Sequence, residues 1–395
     1  MTDSSQFHIA AQNKKDELIA IRRHLHAHPE LSFHEEQTAA FISKKLDEMG
    51  ISHVGKVGGN GIVASIGKHG GKVVALRGDM DALPILEENE VDYASTNKGV
   101  MHACGHDVHT TCLLGAASVL KSMESELNGL VQLFFQPAEE KIPGGASLMI
   151  KEGVLKNPDV QLIFGQHVFP DMEVGNVGFK GGMYMASTDE LYITVKGKGG
   201  HAALPHTCID PVLISSHLIV ALQQMVSRKA RADMPTVLSI GKVEAKGATN
   251  IIPDRVLMEG TMRTMNEEWR GKMHAEIEQL TNGLCKSMGA EVDLEIRKGY
   301  PSLVNDPDVT SWAKSKAVEL LGDNKVHDLP IRMTAEDFAY FAQEVPACFY
   351  RLGTSNKAKG IGAPLHTSRF DVDEDALVIG TSLMSTFAAK ALEEL

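Results

Sequence analysis

The spacing of hydrophobic positions changes along the chain, and those changes divide it into parts. Leu18, Ile21 and Leu25 recur at helical spacing over residues 14–28 and stop before Pro29, while Ile42, Leu46 and Met49 do so over 35–49 and end at Gly50. Two amphipathic helices are predicted there. Short apolar runs follow at 61–66, 72–77, 130–136 and 160–166, with helical segments near 107–124 and 144–154 between the later ones. Strands alternating with helices predict an α/β fold, a mostly parallel sheet with helices on both faces.

From about residue 186 the texture differs. Leu191, Ile193 and Val195 alternate with polar residues, and a helix is expected at about 210–229. Strands near 236–244 and 255–264, a long helix at 266–289 and a strand at 290–297 complete a β-α-β-β-α-β order, that of a ferredoxin-like α+β unit. Residues 300–395 supply another strand at 347–352 and a terminal helix. The expected organisation is one discontinuous α/β domain, 1–185 and 298–395, carrying an inserted lid or dimerisation domain at 186–297.

Size agrees with two domains, since 395 residues exceed what one core usually serves. Hydrophobic residues at 43% and charged residues at 23% predict a folded protein. The formal charge of -12, with no Lys/Arg cluster, argues against nucleic-acid or anionic-membrane partners. No apolar run reaches the ~18 residues of a membrane span, and Met1-Thr-Asp-Ser-Ser lacks the basic and apolar regions of a signal peptide, so the cytoplasm is the expected location. Five scattered cysteines do not read as a disulfide framework.

One of those cysteines keeps unusual company. Met101-His-Ala-Cys-Gly-His-Asp-Val-His109 packs Cys104, His106, Asp107 and two further histidines into nine residues. A thiolate and an imidazole two positions apart can both reach a metal from a loop, and Gly105 relaxes the backbone between them. Phe134-Phe-Gln-Pro-Ala-Glu-Glu140 ends an apolar strand in two adjacent carboxylates, at the kind of strand end where ligands of open α/β sheets collect. One carboxylate of the Glu139-Glu140 pair can coordinate metal while its neighbour stays unligated and moves a proton. Both segments also have a bland reading, a helix-capping loop with incidental histidines and a solvated Glu pair. His167, just past the run 160–165, faces the same rim, and His366, in the glycine-rich Gly360-Ile-Gly-Ala-Pro-Leu-His366, can return to it. Asp79 and Asp81 close a third strand and can orient ligand imidazoles, surface turn aspartates being the alternative. A mixed S, N and O set suits Zn²⁺ and also accepts Mn²⁺, Co²⁺ or Ni²⁺. Five ligands exceed one tetrahedral site, so two divalent ions ~3.5–4 Å apart are expected.

Several stretches then resemble one family, the M20 metallopeptidase clan, in its amidohydrolase branch of aminoacylases, hippurate hydrolases and indole-acetyl-amino-acid hydrolases. They are Arg22-Arg-His-Leu-His-Ala-His-Pro-Glu-Leu-Ser-Phe33, Arg77-Gly-Asp-Met-Asp-Ala-Leu-Pro84, His102-Ala-Cys-Gly-His-Asp107, Gln136-Pro-Ala-Glu-Glu140, Gly199-Gly-His-Ala202, Asn250-Ile-Ile-Pro-Asp254 and Glu259-Gly-Thr-Met-Arg-Thr264. The resemblance covers nearly the whole chain. It implies Cys104, His106, Glu140, His167 and His366 as metal ligands, Glu139 as general acid/base and Asp81 as a residue orienting the ligands. Asp79 stands where other members of the clan carry a histidine. It also implies that the insert is a dimerisation lid making a homodimer or homotetramer, that His201 reaches a partner subunit's site to stabilise the oxyanion, and that Asn250 and Arg263 contact substrate. Without the resemblance His201 is a turn histidine and Arg263 an exposed strand residue.

The expected reaction is hydrolysis of a small N-acyl-L-amino acid to a carboxylate and a free amino acid. A dipeptidase or carboxypeptidase with the same two-metal site is the alternative among enzymes of this chemistry. A metal-free thiol hydrolase with Cys104 as nucleophile, and a silent metal-binding scaffold, are readings of other classes.

Overall fold

The computed structural model describes residues 4–395; Met1 to Asp3, the start of the stretch read above for leader character, lies outside the described residues. Two compact units divide the chain: the first takes the chain up to Met183 with Val304–Ile331 and Asp337–Leu395, the second Tyr184–Leu303 with Arg332–Glu336. The short return of 332–336 to the second unit follows from its pairing, since Arg332 bridges Met185 and its amide donates to Tyr184 O at 2.8 Å.

The first unit is built on an eight-stranded sheet. Its order is His53–Val57, Gly61–Gly67, Gly129–Gln136, Lys72–Asp79, Leu162–Glu173, Ala347–Ser355, Val177–Phe179 and Val326–Asp328. The four central strands, from Gly129–Gln136 to Ala347–Ser355, are parallel, and antiparallel pairs lie outside them. Those central strands are buried along nearly their whole length, which is why they read as continuous apolar runs rather than alternating ones. Leu133 and Phe135 join the main core with helices Lys15–Ala27, His106–Ser122 and Asp375–Glu394. Phe134, pointing the other way by the period of two, stacks on Phe341 of the helix Ala339–Glu344, centroids 5.7 Å apart. Helices therefore cover both faces.

In the second unit the strands Asp189–Lys196, Thr236–Ala245, Arg255–Thr264 and Glu291–Lys298 form an antiparallel sheet, with Asp189–Lys196 and Arg255–Thr264 central. Helices Pro211–Leu222 and Glu267–Ser287 complete the β-α-β-β-α-β order. Alternation decides the core: Leu191, Ile193 and Val195 pack with Ile214, Leu218, Met273 and Ile277, while Glu190, Tyr192 and Thr194 face away. Among the described residues no helix is long and apolar enough to cross a membrane.

Periodicity did not announce the helices Ser4–Gln12 and Pro307–Leu321 or the short strands His53–Val57, Val177–Phe179 and Val326–Asp328. His167 is also placed differently. It lies within the strand Leu162–Glu173 rather than beyond it, because Ala347–Ser355 pairs along that strand in unbroken register to Gly353 opposite Phe169 and, past a register shift, to Ser355 opposite Glu173. The neighbour on its other side pairs only up to Arg77 opposite Gly165, so His167 still stands at the rim.

Candidate metal centre

Lys72–Asp79 and Gly129–Gln136 are parallel neighbours with Asp79 opposite Gln136, so Asp81 and the segment 137–140 emerge side by side from one sheet edge. Asp81 Oδ1 accepts the amide N–H of Glu139 at 3.1 Å and Oδ2 that of Glu140 at 3.0 Å, while Ser32 Oγ donates to Oδ2 at 2.7 Å. The amide before them, that of Ala138, donates to Glu35 Oε1 at 2.8 Å. Ala138 has φ 52°, a left-handed value costing a non-glycine residue ~1–2 kcal/mol. Three successive amides thus end on carboxylates, and the turn is fixed by them.

The two glutamates that follow have different neighbours. Glu140 Oε1 lies 3.2 Å from His366 Nε2 and 4.0 Å from His106 Nε2. Glu139, 6% exposed, accepts the amide N–H of Asp337 at Oε1, 3.4 Å away. His106 opens the helix His106–Ser122 behind Gly105, whose φ of 80° and whose distance of 2.4 Å between a built Cβ and Val168 Cγ2 both require glycine. Cys104 Sγ stands 3.5 Å from His167 Nε2. His366 returns from far along the chain, its amide donating to Ala103 O at 2.8 Å.

Hydrogen bonds set the tautomers. His167 Nδ1–H donates to Val168 O at 2.8 Å, and His106 Nδ1–H donates to Asp81 Oδ1 at 3.1 Å, so that Nε2 is the lone-pair nitrogen of each ring in its neutral form. Donor atoms of Cys104, His106 and His167 lie within 4.8 Å of one another, as do those of Cys104, Glu140 and His366, and those of His106, Glu139 and Glu140. All five expected ligands and Glu139 are therefore brought together within the first unit.

The residues fit divalent cations. Among the described residues His106 Nε2 and Glu140 Oε1 are buried and find no hydrogen-bond partner; the close approach of His366 to Glu140 lacks the alignment of one. Burial opposes charge on His106, yet Asp79, Asp81 and Glu140 outweigh it and lift the ring to about 10. Burial, with Glu140, Glu139 and Asp79, pushes the Cys104 thiol well above its ordinary range. The centre is short of positive charge, and its S, N and O donors match transition-metal ions.

His109 belongs to a different device. Its Nδ1 faces Asp79 Oδ1 at 2.5 Å and its Nε2 accepts the Val168 amide at 2.9 Å, so neither nitrogen is left for a metal although the ring lies beside His106. Asp79 is clamped between His109 and Arg77, and Arg77 continues to Gln136 Oε1 and Asp337 Oδ1, both at 2.8 Å. Asp79 and Asp81 are 0% and 1% exposed, so neither is a surface turn residue. Sequence reasoning gave no role to Glu35 or Asp337. Glu35 is buried while the adjoining Glu36 is exposed, and nothing in a Glu-Glu pair distinguishes them; Asp337 meets Gln136 across 201 residues of chain.

The remaining expected residues lie in the second unit. His201 is exposed on the two-residue strand Gly200–His201, paired with Ile251–Ile252, and its Nδ1 accepts the Ala203 amide at 3.1 Å, which leaves Nε2–H outward as a donor. Asn250 is beside it, its carbonyl accepting the Ala202 amide at 3.0 Å. Arg263 is on the other sheet of the unit, where it lines a hollow of about 420 Å³ with Thr188, Glu190, Tyr192 and Lys242.

Residues 75–390 match the model of "Peptidase family M20/M25/M40". An N-acetyl-L-cysteine deacetylase of Bacillus subtilis is 39% identical over 378 residues, covering 95% of this chain and 88% of that one. An IAA-amino acid hydrolase, ILR1-like 4, of Arabidopsis thaliana is 40% identical over 384 residues, covering 96% and 87%. A Bacillus subtilis structure described as a dinuclear metal binding peptidase from the M20 family superposes with TM-score 0.84 at 35% identity, covering 97% of this chain and 99% of that one. This chain belongs to the peptidase family M20/M25/M40 and is a hydrolase of amide bonds.

Proposed function

We propose that the chain hydrolyses N-acyl-L-amino acids, acetyl, benzoyl or aryl-acetyl, to a carboxylate and a free amino acid. The observation that carries this reading is the convergence of His106 Nε2 and Glu140 Oε1, both buried and without a hydrogen bond among the described residues, with Cys104, His167 and His366 around the adjacent Glu139. The deacetylase and IAA-amino acid hydrolase relatives support the substrate class.

Cys104, His106, Glu140, His167 and His366 would hold two divalent ions, Zn²⁺ or Mn²⁺ before Co²⁺ or Ni²⁺. When bound, the pair supplies Lewis acidity at the scissile carbonyl and a lowered pKa for water. Glu139 takes the proton of the attacking water and delivers it to the leaving nitrogen, which only a carboxylate kept out of the ligand set can do. Asp81 fixes the His106 tautomer and the amides of both glutamates. In the inserted lid, His201 donates through Nε2–H to the oxyanion of a partner subunit's substrate, and Asn250 and Arg263 hold substrate polar groups, Arg263 the α-carboxylate. The working form is a cytoplasmic homodimer or homotetramer joined through the lid. A thiol hydrolase is disfavoured because the Cys104 thiol is pushed up rather than down, away from the thiolate such a nucleophile needs.

The test is Glu139→Gln, assayed on acetyl, benzoyl and indole-acetyl conjugates and on free dipeptides with Zn²⁺ and Mn²⁺ compared. It should keep its metal content and lose turnover by about 10²–10⁴-fold. Unchanged turnover overturns the role of Glu139, and preference for dipeptides over acyl conjugates overturns the substrate class.

A further inference from the structure

The motif that runs from Arg22 to Phe33 leads directly to Glu35, which the reaction described above does not employ. We infer that Glu35 is a positioning residue for Glu139, holding Ala138 in the left-handed conformation from which Glu139 is presented to the reacting atoms. The inference rests on the reading of Glu139 as the proton carrier.

Glu35 is 0% exposed, and its carboxyl is used as an acceptor on both oxygens. Oε1 takes the amide N–H of Phe33 at 2.9 Å and that of Ala138 at 2.8 Å, and Oε2 takes Asn60 Nδ2 at 3.2 Å. Phe33 has φ 69° and Ala138 φ 52°, so a single oxygen ties together two of the four left-handed non-glycine residues among those described. Such residues persist where surrounding contacts over-determine them. A glycine at 138 would adopt this conformation unaided; an alanine needs a partner, and Glu35 supplies it. The other side of the turn is closed by Gly145, where a Cβ would lie 1.8 Å from Pro137 O and whose amide donates to Ala138 O at 3.1 Å. Were φ at Ala138 to revert to negative values, its amide would leave Glu35 and the next residue, Glu139, would be re-aimed. Asp81 holds the amides of both Glu139 and Glu140 independently of Glu35, so the disturbance falls on Glu139, which is joined directly to Ala138, and reaches Glu140 only through a second anchored amide. Ser32 Oγ on Asp81 places a second clamp from the same segment.

Loss of the Glu35 acceptor should therefore reduce turnover while leaving ligand geometry and substrate affinity in place. The experiment measures kcat, KM, metal stoichiometry and folded fraction for Glu35→Ala and Glu35→Gln, with Glu139→Gln alongside, on the conjugate turned over fastest in the panel above. Glu35→Ala is expected to lower kcat by at least about tenfold per metal-loaded folded molecule with KM and metal content within about twofold, and Glu35→Gln, whose carboxamide oxygen still accepts both amides, to stay within about threefold of the parent. A kcat for Glu35→Ala within about threefold of the parent overturns the inference, as does a loss in Glu35→Gln equal to that in Glu35→Ala. Should Glu35→Ala not fold, Glu35→Asp, which withdraws the acceptor by one methylene, takes its place under the same criteria. If Glu139→Gln keeps full turnover, the reading of Glu139 has failed; if only Glu139→Gln is impaired, the positioning role alone has failed.

Discussion

Glu139 and Glu140 carry the same side chain at adjacent positions, and only their surroundings distinguish them for the different work proposed. The amides of Ala138, Glu139 and Glu140 are spoken for by Glu35 and Asp81, so the pair leaves a turn that cannot relax freely. Gly105 plays the complementary part on the other side of the centre, between Cys104 and His106. Gly105→Ala combines a left-handed φ with a Cβ 2.4 Å from Val168 Cγ2, and should lower stability by about 3 kcal/mol in chemical denaturation and reduce metal content. Retained stability and metal would show that the loop adapts. At this scale the local motifs were legible: a Cys-Gly-His and a Glu-Glu at strand ends can be recognised because their chemistry is written in adjacent letters. Glu35, Asp337 and the Arg77 clamp were not, because burial and partners hundreds of residues away decide what a carboxylate does, and neither is a local property.

Among the elements, the buried parallel strands were read correctly from apolar runs because a strand covered on both faces has no polar alternation to lose. Where they end was harder to read, since pairing partners set it, and His167 lies inside its strand for that reason. The ferredoxin-like unit was legible from its clean alternation, but its polar keystone was not. Asp189 is fully buried at the head of its strand, with Arg270 Nη2 on Oδ1 at 2.6 Å, Arg270 Nε on Oδ2 at 2.9 Å and His274 Nε2 on Oδ2 at 2.7 Å. Burial alone would raise its carboxyl; the bonds from His274 and Arg270 overcome this and hold it below the ordinary value. Removing one partner of a buried pair typically costs about 3–5 kcal/mol, so Asp189→Asn should destabilise the unit by that order in urea titration. The sign with pH follows: a depressed carboxyl contributes in full above the unfolded value of ~3.9, and that contribution is lost as pH falls through the lower folded value. Parent and Asp189→Asn stability curves should converge in acid, and a constant gap down to that range would deny the ion pair its role.

For the molecule as a whole, the expected division of labour is between subunits, and mixing inactive variants tests it. A subunit with Glu139→Gln keeps its His201, and one with His201→Ala keeps its Glu139. Hetero-oligomers formed by co-expression should recover about a quarter of parent turnover, because half of randomly paired dimers contain one complete site of two. Confirmed mixed oligomers without recovery would place His201 within its own subunit's reaction or outside it altogether. The exposed apolar side chains Leu213 and Val220 on the helix Pro211–Leu222 give such a contact apolar surface to bury.

The discontinuity of the first unit also bears on how the protein is born. Strand Leu162–Glu173 lies between Lys72–Asp79 and Ala347–Ser355, and the latter is made only after the whole inserted unit. At ~5–20 residues per second the ribosome leaves that strand without one neighbour for on the order of ten to thirty seconds, while the second unit already has its four-stranded sheet and both helices and waits only for the short return of Arg332–Glu336. His366 emerges later still. A nascent chain thus carries Cys104, His106, Glu140 and His167 with an open sheet edge beside them, and the last of the proposed donors follows soon after the strand that closes it. Completion of the centre therefore waits on completion of the sheet, so a chain terminated before Ala347 can neither bury its edge nor present the full donor set.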